Sequence, residues 1–363
     1  MNNYEFVFTA IKGLQAGRPY YVAMCPMKLV PKLFHFSDSE IPAKLRAQRV
    51  LNKSRIPEMV NYMIDNKKNY IFSSLTVSIG GDVIFEKFSI DNVEQENIGQ
   101  IRIPMDSTLL INDGQHRRAA IEKALEESPE LGDETISVVF FLDVGLKKSQ
   151  QMFADLNKHA VRPTRSLGVL YDHREPLSVL AKKVVNEHPV FLALTEVEKT
   201  SISNRSTKLF TLSGIYEGTR VLLRKSRKTK KITKKEENLA IEFWGEVINN
   251  MKDWNLAYKK EVSTSELRKN YIHAHGLALQ VIGKLGAELI EKENENYKKL
   301  LKKLDKIDWS RSNADIWEGR AMNAGRISKS NSSVILTTNY LKQVFGLDLT
   351  PEERNFEKKF MGE

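Results

Sequence analysis

Residues 111–121, INDGQHRRAAI, carry the residue types and spacing most suited to chemistry. The preceding run TLLIN (108–112) predicts a short buried strand, Asp113-Gly114 breaks it, and Gln115 to Glu126 predicts a helix with Ala119, Ala120, Ile121 and Leu125 inward. The first turn of a helix leaves backbone N–H groups unpaired at the positive end of its dipole. Such an end suits a phosphate. Arg117 and Arg118 stand at that end, where a helix by itself disfavours cations. They make sense if an anion neutralises them, since a guanidinium offers it paired donors. Asp113 could cap the helix or hold a Mg2+ ion carried by the anion. Arg117 could equally pair with a nearby carboxylate, and His116 could act as a base, orient a water or lie idle on the helix surface.

The second feature is a block of charge. Residues 1–170 hold 21 Lys/Arg against 20 Asp/Glu, whereas residues 195–235 alone hold 12 against 3. This segment supplies nearly all of the formal net charge of +10. Its densest part is RKSRKTKKITKK (224–235), with Arg224, Lys225, Arg227, Lys228, Lys230, Lys231, Lys234 and Lys235. Like charges at that density repel one another, which predicts an exposed, mobile connection. It serves either as a solubilising loop or as a grip on a polyanion, with nucleic acid the first candidate.

Other chemistries find less support. Cys25 is the single cysteine, so neither an internal disulfide nor a multi-thiolate metal site can be built, and no resident metal is expected beyond a Mg2+ ion carried by a bound anion. It sits in a strand pattern, the setting of a small buried hydrophobe. His273 and His275 are two apart and do not make an i, i+4 metal pair. Neither GxxxxGK[ST] nor GxGxxG occurs, which disfavours a P-loop NTPase or a dinucleotide enzyme. Trp244, Trp254, Trp309 and Trp317 read as core, and residues 337–353 read as a packing helix more than as half of a helix-turn-helix. No apolar run is long enough to cross a bilayer and no secretory signal is visible, so no membrane contact and a reducing cytoplasm are expected.

The elements that must position these residues fall into two groups. Over residues 1–170 strands and helices alternate. Strands are expected at Tyr20–Met24, Met27–Val30, Tyr70–Ile79, Val83–Phe85, Thr108–Asn112 and Ile136–Val144, helices at 39–66 and 148–156, and a loop at 86–99. After about residue 170 strand signals fade, and helices are expected at 175–194, 236–254, 271–291, 294–306 and 337–346. The expected class is α+β, a mixed-sheet domain over 1–170 followed by an all-helical domain over 171–363.

Asp113-Gly114-Gln115-His116-Arg117 is a DGQHR motif, and the chain around it resembles the DndB-type DGQHR-domain family of bacterial DNA phosphorothioation. AQRVLNKSRI (47–56), FADLNKHAVRP (153–163) and SNRSTKLFTLS (203–213) extend the resemblance over most of the chain. It implies a ParB/sulfiredoxin-like N-terminal domain and a DNA-binding regulator, a repressor of the modification genes. Partners would be duplex DNA and other proteins of the system, and the chain could form a homo-oligomer associated with the nucleoid. The alternative it implies is a ParB-like NTPase using a nucleotide with Mg2+. Carried over, Asp113, Gly114, Gln115, Arg117, Arg118 and Asn157 would line the nucleotide pocket, with Asp113, Gln115 and His116 as catalytic candidates and Arg49, Asn52 and Arg55 as weaker ones. His116 stands where related DGQQR proteins carry glutamine, which bears on whether hydrolysis is retained.

Overall fold

The computed structural model describes residues 4–34, 53–142, 151, 155, 163–293 and 296–362. The chain divides into two compact units, Met1–Val161 and Arg162–Glu363. Among the described residues no helix is long and apolar enough to cross a membrane.

The first unit is built on one seven-stranded sheet. Its elements are β1 (Glu5–Gln15), β2 (Arg18–Pro26), α1 (Val30–Leu33), α2 (Ile56–Asp65), β3 (Leu75–Gly80), β4 (Ile84–Ile90), β5 (Val93–Pro104), β6 (Thr108–Asp113), α3 (Gln115–Glu127) and β7 (Thr135–Leu142). The strand order is β4-β5-β1-β2-β7-β3-β6, antiparallel except for the parallel β3–β7 pair. The mixed α+β sheet expected from the sequence is therefore present. Period-two alternation explains its two faces. Phe8, Ala10, Tyr21, Ala23, Cys25, Val138 and Phe140 point into the core, while Val7, Ile11 and Met24 between them are exposed. On the core side α3 buries Ala119, Ala120, Ile121 and Ala124, and its three alanines let the helix lie close. Full burial of each large core side chain contributes roughly 1.5–3 kcal/mol.

Several local expectations are corrected. β1 was not foreseen, and the expected strand Met27–Val30 is instead a 3-10 turn, Met27–Leu29, leading into α1. Pro31 sits at the start of α1, where a missing N–H costs nothing. The expected loop 86–99 lies largely within a hairpin of β4 and β5, turning at Asp91 and Asn92, both with positive φ. Its cross-strand pairs are charged, with Lys87 on Glu94 and Glu96, so no apolar alternation marks it. Tyr70 and Phe72 precede β3 and cluster with Tyr62. Arg49, Asn52 and Asn157 lie outside the described residues, as does nearly all of the helix expected at 148–156.

The second unit is predominantly helical: α4 (Arg165–Tyr171), α5 (Pro176–Glu187), α6 (Pro189–Leu194), α7 (Leu212–Leu222), α8 (Lys234–Asn249), α9 (Lys252–Tyr258), α10 (Thr264–Asn270), α11 (Gly276–Glu293), α12 (Tyr297–Leu301), α13 (Ala314–Trp317), α14 (Asn331–Phe345) and α15 (Pro351–Met361). It is not purely so: β8 (Thr195–Glu196) pairs with β9 (Phe210–Thr211), and β10 (Met322–Asn323) with β11 (Arg326–Ile327). Trp244, Trp254 and Trp317 are fully buried and Trp309 nearly so, as expected of core residues. α7 and α11 approach backbone to backbone. A Cβ on Gly283 would stand 2.3 Å from the Gly218 carbonyl oxygen, and one on Gly218 would stand 2.8 Å from that of Leu279.

Candidate functional site

In the first unit the site is the turn from the edge strand β6 into α3. Gly114 is the N-cap of α3, with φ +112°, and makes no side-chain cap. A Cβ there would meet Leu75 Cδ2 at 2.4 Å, so both the dihedral and the space demand glycine. Asp113 therefore does not cap the helix. Its Oδ2 accepts a 2.8 Å bond from Arg117 Nη2, one turn along. The same Nη2 donates to the Ser74 carbonyl at 3.1 Å. Arg117 Nε is buried beside them with no hydrogen-bond partner. The first turn of α3 contains no acidic residue.

The neighbouring candidates divide sharply. Arg118 is buried: Nε donates to the Phe34 carbonyl at 2.7 Å, Nη1 to Glu122 at 2.7 Å and Nη2 to the Pro31 carbonyl at 3.3 Å. It fastens α1 to α3, and the expectation that it faces a nucleotide is corrected: its guanidinium is spent inside the fold. Gln115 turns its amide back on the strand, donating to the carbonyls of Ile111 and Asn112. His116 stays at the turn, its imidazole held below the usual range by burial first, then by Arg55 and Arg117, with Asp113 opposing. That influence brings the exposed Arg55 to the site, one of the weaker candidates. Arg55, Arg117 and the α3 amino end thus set positive potential around one carboxylate, an arrangement able to hold an anion.

Two residues the sequence reading missed support this turn. Asn112 and Ser78 are fully buried on neighbouring strands, joined by a 2.6 Å bond from Asn112 Nδ2 to Ser78 Oγ. Polar residues inside apolar strand patterns were the available signal. Cys25 is fully buried, and burial pushes its thiol up to about 12, so it stays protonated.

In the second unit most of the basic stretch is an exposed connection between α7 and α8, as its charge density suggested. Arg224, with φ +52°, ends α7, and Lys234 and Lys235 already belong to α8, whose N-cap Thr233 forms a reciprocal capping box with Glu236. Nearby acids hold part of the block. Arg224 pairs with Glu291 and Glu288, Lys225 with Glu236, Arg227 with Glu217 at 3.7 Å, and Lys234 with Glu237. Lys228, Lys231 and Lys235 are exposed and enter no ion pair among the described residues. Alongside, Arg220, Lys284 and Lys342 share a cavity of about 390 Å3 with Arg224 and Lys225. Lys284 there is held below its usual range, by burial first.

His273 and His275 do not converge. The Trp254 Nε1–H donates to His273 Nδ1 at 3.2 Å, which leaves His273 Nε2 to donate to Asp253 at 2.8 Å. His275 Nε2 donates to the Arg268 carbonyl at 2.8 Å. The segment at 337–353 spans the end of α14 and the start of α15, with ion pairs within and beside it. Lys342 meets Glu353 at 2.8 Å, and Arg320 meets Glu357 at 2.7 Å.

Comparison with curated proteins and with solved structures returns no match. A family model, DndB, described as DNA-sulfur modification-associated, matches residues 8–348. That span takes in both the Asp113–Arg117 turn and the basic stretch, and the chain belongs to the DndB family.

Proposed function

We propose that this DndB-family chain is a DNA-binding regulator of DNA sulfur modification, a repressor of the modification genes, working in the cytoplasm at the nucleoid. The single observation that carries this reading is the basic stretch 224–235, with Lys228, Lys231 and Lys235 exposed and not engaged by acids. In a family tied to DNA modification, such lysines suit backbone phosphates, which fix a protein on DNA without reading its sequence. The test is the salt dependence of duplex binding, measured by fluorescence anisotropy. Each lost phosphate contact should reduce the log–log slope by about 0.9. The triple variant K228A/K231A/K235A should therefore bind more weakly with a slope shallower by about 2.7. An unchanged slope would remove this segment from the interface.

A second reading, ParB-like nucleotide binding with Mg2+ at the Asp113–Arg117 turn, is favoured by the buried, unpartnered Arg117 Nε. In that reading Asp113, Gly114, Arg117 and Asn157 hold the nucleotide, and His116 orients the attacking water. Turnover by the wild-type protein and none by R117A, with duplex binding retained, would support it. No nucleotide binding at millimolar concentration would end it.

A further inference from the structure

The second unit holds another positively charged cavity, of about 550 Å3. Arg268, Lys269, Arg311 and Lys329 line it, and no carboxylate does among the described residues. Both guanidiniums are fixed by carbonyl groups. Arg268 Nη2 donates to those of Ser203, Asn204 and Ser206 at 3.0–3.2 Å. Arg311 donates to Lys269 at 2.9 Å and to Gly325 at 2.6 Å. Carbonyls orient a guanidinium but leave its full charge in place. Lys269 and Lys329 enter no ion pair among the described residues.

The cavity includes Gly276, the first residue of the 18-residue α11. A Cβ on Gly276 would stand 2.8 Å from Lys329 Nζ. The ammonium is therefore set against the positive end of a long helix dipole, which is unfavourable unless a negative group shares the space. The same field acts on His275 in the cavity wall. Burial, then Arg311, Lys329 and Arg268, holds its imidazole down to about 4, against its hydrogen bond to the Arg268 carbonyl.

We infer that this cavity binds a phosphate-bearing small molecule, its anion received by Lys269, Lys329 and the amino end of α11, with Arg268 and Arg311 supplying fixed positive charge. Phosphate fits better than a lone carboxylate, because its several acceptor oxygens can serve donors spread around a concave wall. Hydroxyls of Ser201 and Ser265 add neutral donors to that wall. The volume is that of a typical small-molecule site. A DNA backbone phosphate shares the chemistry and is the competing source.

The full-length protein is titrated calorimetrically with inorganic pyrophosphate at low ionic strength. Binding is expected in the wild type, at least tenfold weaker in K269A/K329A, and unchanged in K228A/K231A/K235A, which separates this site from the DNA-binding stretch. Melting curves within a degree of wild type check that the variants fold, and K329Q serves as a milder second variant. If a 20-base-pair duplex leaves pyrophosphate affinity unchanged, the small-molecule assignment stands. If the duplex displaces pyrophosphate and K269A/K329A binds the duplex more weakly, the small-molecule assignment is overturned in favour of a DNA phosphate. Wild type and K269A/K329A binding pyrophosphate equally, or no binding at millimolar pyrophosphate, overturns the site altogether.

Discussion

Arg117 reaches back one helical turn to Asp113, Nη2 to Oδ2 at 2.8 Å, and the same nitrogen touches the Ser74 carbonyl on the way to β3. The pair therefore joins the strand before α3 to a second part of the sheet. Its side chains are 17% and 46% exposed, so it is screened more than a core pair and less than a surface one. R117A should lower stability by about 1–2 kcal/mol, mostly through the lost bonds of a half-buried guanidinium. R117K should recover only part, because its nitrogen sits on a flexible stem and lacks the rigid planar fork that holds Nη2 between the two acceptors. Urea unfolding of the three proteins checks this; equal midpoints for wild type and R117A would show that the pair holds nothing in place.

Gly114 gives a sharper expectation. G114A adds a methyl group 2.4 Å from Leu75 Cδ2 and places alanine at φ +112°. The dihedral alone costs on the order of 1–3 kcal/mol. Pairing G114A with L75A should relieve the steric part and leave the dihedral part, so the double variant should be less destabilised than the sum of the singles. Strict additivity in a thermal-melt cycle would mean the contact with Leu75 is not what excludes a side chain.

How much of this turn was legible follows from what each residue touches. The strand, the Asp-Gly break and the inward alanines of α3 follow from period and turn chemistry, and they are present. Arg117 and Arg118 look equivalent in sequence because both open the same helix. They separate only in three dimensions, where α1 covers Arg118 and leaves Arg117 beside the turn. The β4–β5 hairpin was illegible for a different reason. It has charged side chains at Lys87, Glu94 and Glu96, so no buried face imprints alternation on it. The stretch 224–235 looked like bare charge in sequence because Glu288 and Glu291, which the fold brings to Arg224 from α11, lie far along the chain.

His275 sets a pH dependence with a defined sign. Its folded-state value, about 4, lies below the unfolded value near 6.5, so the unfolded chain takes up the proton first. Stability from this residue is complete above about pH 6.5 and falls as the pH drops toward 4, by an amount on the order of 2–3 kcal/mol. H275Q keeps a side-chain N–H for the Arg268 carbonyl but does not titrate. Its loss of stability between pH 7 and 4.5, followed by guanidinium denaturation, should be smaller than that of wild type. Parallel pH curves would place the imidazole in a solvated setting.

The α7–α11 contact has no room for even one carbon. G283A would press a methyl group on the Gly218 carbonyl and on Val221 Cγ2 at 3.0 Å. Rigid backbone rather than a flexible chain end is what it meets, so the helices must separate, at about 1–3 kcal/mol. The helix propensity of alanine returns at most about 1 kcal/mol. A net fall in melting temperature is expected, and a rise would show that the two helices can part freely.

The ion pair between Arg320 and Glu357 decides whether α15 is fixed or free to engage a partner. Arg320 and Glu357 are 7% and 6% exposed, and Asn339 Nδ2 also bonds the Glu357 carboxylate at 3.0 Å. Removing one member strands a buried charge, which costs about 3–5 kcal/mol, whereas replacing both with apolar side chains of similar volume can be neutral. R320M should thus be strongly destabilised and R320M/E357L largely restored. Hydrogen exchange separates the two possible scales of the effect. If α15 is an integral packing helix, its amides in R320M should open together with those of α14. Loss of protection confined to α15, with α14 still protected, would instead mark α15 as a detachable element held to the unit by this ion pair.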